Sequence, residues 1–254
     1  MTKGEINLSR ARGSKAQRRI QQTQFELSEN TIDFNQAKRK SRPIELKPKT
    51  LAQEKLVTKL LDPNQSIIVA VGPAGTGKSY LAMLAAMRAL KQGDCQKLVL
   101  TRPAVGVEDE QHGFLPGDLV KKMEPWTRPL LDIMKEFYHP REVIQMIEDE
   151  VIEISPLAFM RGRTFKNAWI VADEMQNATP NQVKMLLTRI GQGSRIVVTG
   201  DVEQTDRSYT ENGLIDLCSR LERQGVPGMS TVQLGARDIQ RHPIIDQVLS
   251  IYAD

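Results

Sequence analysis

Hydrophobic positions along the 254-residue chain fall into two kinds of run. Short apolar runs rich in β-branched residues occur at Ser66–Val71 (SIIVAV), Lys97–Thr101 (KLVLT), Ala168–Ala172 (AWIVA) and Arg195–Thr199 (RIVVT). Such near-continuous apolar runs are the composition of strands covered on both faces, as in a parallel sheet. Val151–Ile154 and Ser230–Leu234 predict two further strands. Between them lie stretches that read as helices. Leu51–Leu61 is opened by the capping residue Thr50 and closed by the turn Asp62-Pro63-Asn64. A helix after Ser79 carries Leu81, Ala82, Leu84, Ala85, Ala86, Met87 and Ala89, and others follow at Arg141–Glu150, from Thr179-Pro180 through Ile190, at Leu214–Gln224 and at Pro243–Tyr252. Strands alternating with helices predict an α/β fold, a mostly parallel sheet with helices on both faces. Residues 102–139 interrupt the alternation as an inserted block, in which Pro125 and Pro129 are expected to interrupt or start helices.

Charge adds a second feature. The chain carries a net +4, but residues 1–42 hold ten Lys or Arg against four acids, a net of +6 that leaves −2 for the rest. This arm is polar, rich in Gln and Asn and poor in large apolar residues, so disorder is expected of it when alone. Its charge suits either a solvated tail or a nucleic-acid-binding arm ahead of a domain at 43–254. No run approaches bilayer-spanning length and the start has no apolar core for a secretory signal, so no membrane association is expected. Cys95 and Cys218, like His112, His139 and His242, are too scattered to build a zinc site or a disulfide framework. That pattern fits a reducing cytoplasm.

The chemistry concentrates at strand ends. Gly72-Pro73-Ala74-Gly75-Thr76-Gly77-Lys78-Ser79 follows the first strand and opens a helix, matching G-x-x-x-x-G-K-[ST] at every fixed position. The glycines let backbone N–H groups form an anion nest, and the helix N-terminus turns its positive end to the same place. The segment through Tyr80 is therefore the expected nucleotide cradle, with Lys78 on the β- and γ-phosphates and the Ser79 hydroxyl on Mg²⁺. Asp173-Glu174 ends the apolar run Ala168–Ala172. A carboxylate there can hold Mg²⁺ through water, and Glu174 is placed to polarise an attacking water. No Asn-Lys-x-Asp guanine reader is present, and no arginine-bearing lid or acceptor pocket can be located. ATP hydrolysis is the expected reaction. A non-motor ATP switch with a protein partner and a small-molecule kinase remain as rival readings.

Beyond these motifs, Asp173-Glu174-Met175-Gln176-Asn177 resembles the DEAQN box of the phosphate-starvation-inducible PhoH-like proteins, with Met175 where Ala is common. Thr101-Arg102-Pro103-Ala104, Gly113-Phe114-Leu115-Pro116-Gly117-Asp118 and Pro125-Trp126-Thr127-Arg128-Pro129-Leu130 resemble further blocks of that family in the same order. Thr199-Gly200-Asp201 with Gln204, and Asp238-Ile239-Gln240-Arg241-His242-Pro243, continue the likeness, which covers roughly Lys47 to Tyr252. The resemblance implies a single RecA-like P-loop ATPase domain related to superfamily 1 helicase motor cores, with a nucleic-acid partner, RNA before DNA. It implies that Gln204 senses the γ-phosphate and that Gln53 reads adenine. Arg102, Lys121, Lys122, Trp126 and Arg128 are candidates for nucleic-acid contact, as basic residues around an aromatic. A helicase motor has two such halves, and the chain has room for one. The missing arginines would then come from a neighbouring copy in a head-to-tail homo-oligomer, a hexameric ring, with Arg237 and Arg241 as candidate fingers, each of which could instead serve its own chain's nucleotide or be a surface arginine.

Overall fold

The computed structural model describes residues 43–103, 119–204, 212–241, 244–245 and 251, with backbone alone over 119–126. The basic arm, residues 104–118 and most of the helix expected at Pro243–Tyr252 lie outside the described residues. In chain order the regular elements are α1 (Leu51–Leu61), β1 (Ile67–Val71), α2 (Lys78–Gln92), β2 (Lys97–Thr101), α3 (Leu119–Lys135) and α4 (Pro140–Glu148). They continue with β3 (Ile152–Ile154), β4 (Ala168–Ala172), α5 (Pro180–Leu187), β5 (Arg195–Gly200), α6 (Gly213–Gln224) and β6 (Met229–Gln233).

The six strands form one sheet in the order β3-β2-β4-β5-β1-β6, and every pairing is parallel. Side chains alternate between the faces with the period of two that extended backbone imposes. Ile68 and Ala70 of β1 join Leu98 and Leu100 of β2, and Trp169 and Val171 of β4, beneath α1, α2, α3 and α4. Ile67, Val69 and Val71, with Val99, Ile170 and Ala172, face α5, α6 and the 3-10 turn Leu157–Met160. Both faces are covered, which is why these strands lack an alternating polar side. This is the α/β architecture, a parallel sheet with helices on both faces, that the sequence implied.

Sheet order decides what meets at the carboxyl edge. β5 lies between β1 and β4, so the end of β5 falls between the glycine-rich loop and Asp173-Glu174. Register Val71↔Gly200 sets the ends of β1 and β5 level, and Ala172↔Val198 ends β4 two residues earlier, which puts Asp173 beside Thr199.

Two local expectations are corrected. α3 runs unbroken from Leu119 to Lys135 through both Pro125 and Pro129, instead of stopping or starting at them. Each proline removes a helical N–H donor, but full burial of Leu130 and Met134 in the core holds the second half of the helix in place. α5 ends at Leu187, not Ile190, because Ile190 is taken up in a parallel bridge with Phe165. Among the described residues, no helix is long and apolar enough to cross a membrane.

Candidate active site

A cleft of about 240 Å³ opens at the carboxyl edge, lined by the loop from Ala74 to Tyr80, by Asp173 and Glu174, and by Gly200, Asp201 and Gln204. A larger cavity of about 410 Å³ lies elsewhere and is lined by none of these residues.

The loop takes its shape from left-handed glycines. Gly75 (φ 84°) and Gly77 (φ 82°) adopt a conformation that side-chain-bearing residues enter at a cost. Gly77 caps α2 with no side-chain partner, which leaves the helix N-terminus open toward the cleft. Lys78 Nζ donates to the Gly72 carbonyl at 2.5 Å and the Pro73 carbonyl at 2.7 Å. Burial pulls the Lys78 ammonium below the usual lysine range, against Asp201, Glu174 and Asp173, which draw it up.

Asp173 is 3% exposed and fully engaged. Its Oδ1 accepts from Ser79 Oγ at 2.6 Å and from Thr199 Oγ1 at 2.5 Å. Its Oδ2 accepts from Arg102 Nε at 3.1 Å and pairs with Nη2 at 2.8 Å. Arg102 Nη2 also donates to Glu174 Oε1 at 3.0 Å, while Gln176 Nε2 donates to Glu174 Oε2 at 2.6 Å. Gln176 Oε1 in turn accepts from Asp201 N at 3.1 Å, and Asp201 Oδ2 accepts from Ala74 N at 3.0 Å. One chain of polar contacts therefore runs from the end of β2 through the ends of β4 and β5 to the loop. Glu174 itself has φ 56°, a left-handed backbone that a non-glycine residue rarely adopts and that recurs at functional sites.

Gly200 is where this network is tightest. A Cβ there would lie 2.5 Å from Leu214 Cδ2 and 2.7 Å from Gln176 Oε1. Gly200→Ala is expected to lose about 1–3 kcal/mol of stability by overpacking. Urea unfolding of the two proteins measures it, and an unchanged midpoint would count against so tight a fit.

The donor set fits a phosphate chain with Mg²⁺. A carboxylate oxygen of Asp201 already accepts from one loop amide, Ala74 N, so a loop N–H does donate to an anionic oxygen. Ser79 and Asp173 present a hydroxyl and a carboxylate side by side, the hard oxygen ligands that Mg²⁺ takes alongside phosphate oxygens.

Other expected site residues are placed differently. Gln53 is buried, and each end of its amide makes one hydrogen bond: Oε1 accepts from Lys49 N at 2.7 Å, and Nε2 donates to Thr76 O at 3.0 Å. These bonds tie Gln53 to the loop, and each end of an amide keeps a second hydrogen-bonding position. Arg241 lies over the loop of its own chain, where a Cβ on Gly75 would be 2.8 Å from its Cγ, and Gln240 N donates to Gly75 O at 2.8 Å. Arg237 is exposed in the 3-10 turn Ala236–Asp238, and Arg128 is exposed on α3. Gln204 is exposed at the cleft wall, and Tyr80 lines the cleft with its hydroxyl 3.2 Å from Glu136 Oε2. The side chains of Lys121, Lys122 and Trp126 lie outside the described residues. Sequence reasoning assigns no individual site role to Gln176, Thr199 or Asp201, and does not foresee Arg102 on the carboxylates. Only their positions beside the motifs could have signalled them.

The sequence profile of PhoH-like proteins matches residues 45–253. The chain belongs to this family. It is 45% identical to a PhoH-like protein of Synechocystis over 183 residues, 72% of this chain and 55% of that protein. To a PhoH-like protein of Bacillus subtilis it is 42% identical, over 82% of this chain and 64% of the relative. Protein PhoH of Escherichia coli K12 is 36% identical, over 75% of this chain and 54% of its own length. The chain thus spans little more than half to about two thirds of these family members. Among solved structures, the Pif1 helicase of Candida albicans is similar in fold (TM-score 0.38, 15% identity, 80% of this chain and 43% of that one). So is the Sulfolobus solfataricus SWI2/SNF2 ATPase core in complex with dsDNA (TM-score 0.40, 14% identity, 74% and 44%).

Proposed function

We propose that the chain is a Mg²⁺-dependent ATPase that couples hydrolysis to binding and remodelling of nucleic acid, RNA before DNA. The observation that carries the reading is the junction of the glycine-rich loop with the acidic strand end. Ser79 Oγ lies 2.6 Å from Asp173, with Glu174 beside it and Lys78 on the same cleft. On this reading residues 43–254 are the ATPase domain and residues 1–42 a basic arm that adds affinity for the strand.

Bound Mg²⁺ would neutralise charge on the β- and γ-phosphate oxygens. Lys78 would exchange the Gly72 and Pro73 carbonyls for phosphate oxygens, and Ser79 and Asp173 would hold the ion. Glu174 would orient water and take its proton, and Gln204 at the cleft wall would register the γ-phosphate. Arg241, lying over Gly75, would serve its own chain's nucleotide. Arg237 is then the arginine offered to a neighbouring copy's site in a hexameric head-to-tail ring.

Deleting residues 1–42 is expected to weaken binding of single-stranded RNA and flatten its salt dependence, by about 0.7 in log–log slope for each phosphate that the arm no longer neutralises. A fluorescence-anisotropy titration of parent and truncated proteins across a salt series checks this. An identical slope would remove the arm from the interface. Hydrolysis that no RNA or DNA strand raises would favour the protein-partnered switch, and phosphoryl transfer without phosphate release the kinase.

A further inference from the structure

Arg102 reads in the sequence as a nucleic-acid contact, yet its guanidinium lies on the acidic pair. The placement follows from the sheet. Register Thr101↔Ala172 sets the ends of β2 and β4 level, and Asp173 N donates to Thr101 O at 3.0 Å. The next residue of each strand, Arg102 and Asp173, must therefore leave the sheet side by side. The planar fork of arginine can hold two carboxylates at once, which the compact ammonium of lysine does less well. Here it does so, at 2.8–3.1 Å from Asp173 Oδ2 and 3.0 Å from Glu174 Oε1.

The consequence is chemical. The Asp173 oxygen not bonded to Ser79 is covered by a cation, and both Glu174 oxygens carry a donor, Arg102 on one side and Gln176 on the other. A Mg²⁺ ion approaching Asp173 meets a positive charge already in place. A water approaching Glu174 must compete with a charge-assisted hydrogen bond, stronger than a neutral one.

We propose that Arg102 is a latch on the acidic pair, which holds Asp173 and Glu174 out of use until a phosphodiester group of the bound strand takes its guanidinium. The second half rests on the nucleic-acid reading above; the first does not. With a side chain 17% exposed, Arg102 reaches solvent while still gripping both acids, as a group that changes partners must. Phosphate is the natural competitor, since it accepts the same bidentate fork as carboxylate. Occupancy of the strand site then converts a self-neutralised cleft into one that needs Mg²⁺, and the two ligands become linked.

The test compares the parent with Arg102→Gln and Arg102→Lys in two measurements. The first is affinity for a fluorescent ATP analogue, in Mg²⁺ and in EDTA, with no nucleic acid present. A latched majority state lowers apparent affinity in proportion to its population. Arg102→Gln should therefore bind the analogue about tenfold more tightly in Mg²⁺ and no more tightly in EDTA, with Arg102→Lys between it and the parent. The second is phosphate release with and without single-stranded RNA. Loss of the latch raises the unstimulated rate and brings the stimulation ratio toward one. If both variants bind the Mg²⁺ complex no better than the parent, or hydrolysis falls with the ratio intact, Arg102 is a supporting residue and the latch is wrong. If Mg²⁺-dependent affinity rises but strands stimulate not even the parent, the latch stands and its release by nucleic acid is overturned. Thermal midpoints of all three proteins guard the comparison: should Arg102→Gln fail to fold, Arg102→Lys, which keeps the charge, decides between latch and support.

Discussion

Glu174→Gln is expected to bind ATP as the parent does and to hydrolyse it about 10²–10⁴-fold more slowly. The amide keeps the size of the side chain and can still meet Gln176, but it cannot take a proton from water. Asp173, Ser79 and Lys78 remain in place, so nucleotide affinity should survive. The left-handed backbone at Glu174 (φ 56°) makes the glutamine a better probe than a smaller residue, because only the carboxylate changes. Single-turnover hydrolysis after nucleotide loading separates binding from chemistry. A parental rate would mean that another group activates the water.

The second large effect concerns the two arginines. A charge placed on the transferring phosphoryl group is worth about 10³–10⁵ in rate where an arginine finger supplies it. Arg241 lies over Gly75 of its own chain, and Gln240 is tied to the same glycine by a backbone hydrogen bond. Arg241→Ala should therefore be nearly inactive, and mixing it with Lys78→Ala should restore nothing, since each chain then spoils its own site. Arg237→Ala mixed with Lys78→Ala should recover activity, because a Lys78→Ala neighbour can donate its intact Arg237. Recovery in the first mixture would move Arg241 to a neighbour's site. A monomeric active enzyme in sedimentation would end the ring reading of Arg237.

Much of this arrangement was legible because it depends on neighbours in sequence. α1 spans Leu51–Leu61 as its Thr50 cap and Asp62-Pro63 stop required, and β2 and β4 match their apolar runs residue for residue. The glycine-rich loop announced itself by spacing. What escaped was set by contacts distant in sequence. Pro125 and Pro129 look like helix breaks until the burial of Leu130 and Met134 outweighs the missing donors. That Gln53 is tied to Thr76 of the glycine-rich loop, 23 residues away along the chain, could not be read from its own helix. Arg102 stands 71 residues before Asp173, and only the register of β2 on β4 brings them together. Sheet order was not readable either, yet it places Thr199 and Asp201 between the loop and the acidic pair.

The central claim is that one cleft binds and hydrolyses ATP in response to a nucleic-acid strand. Steady-state phosphate release by the parent and by Lys78→Ala, each with Mg²⁺ and ATP and with single-stranded RNA, single-stranded DNA or neither, tests it most directly. The parent should release phosphate, faster with RNA, and Lys78→Ala should release none under any condition. Turnover by Lys78→Ala equal to the parent's, or a parent rate indifferent to both strands, would contradict the account.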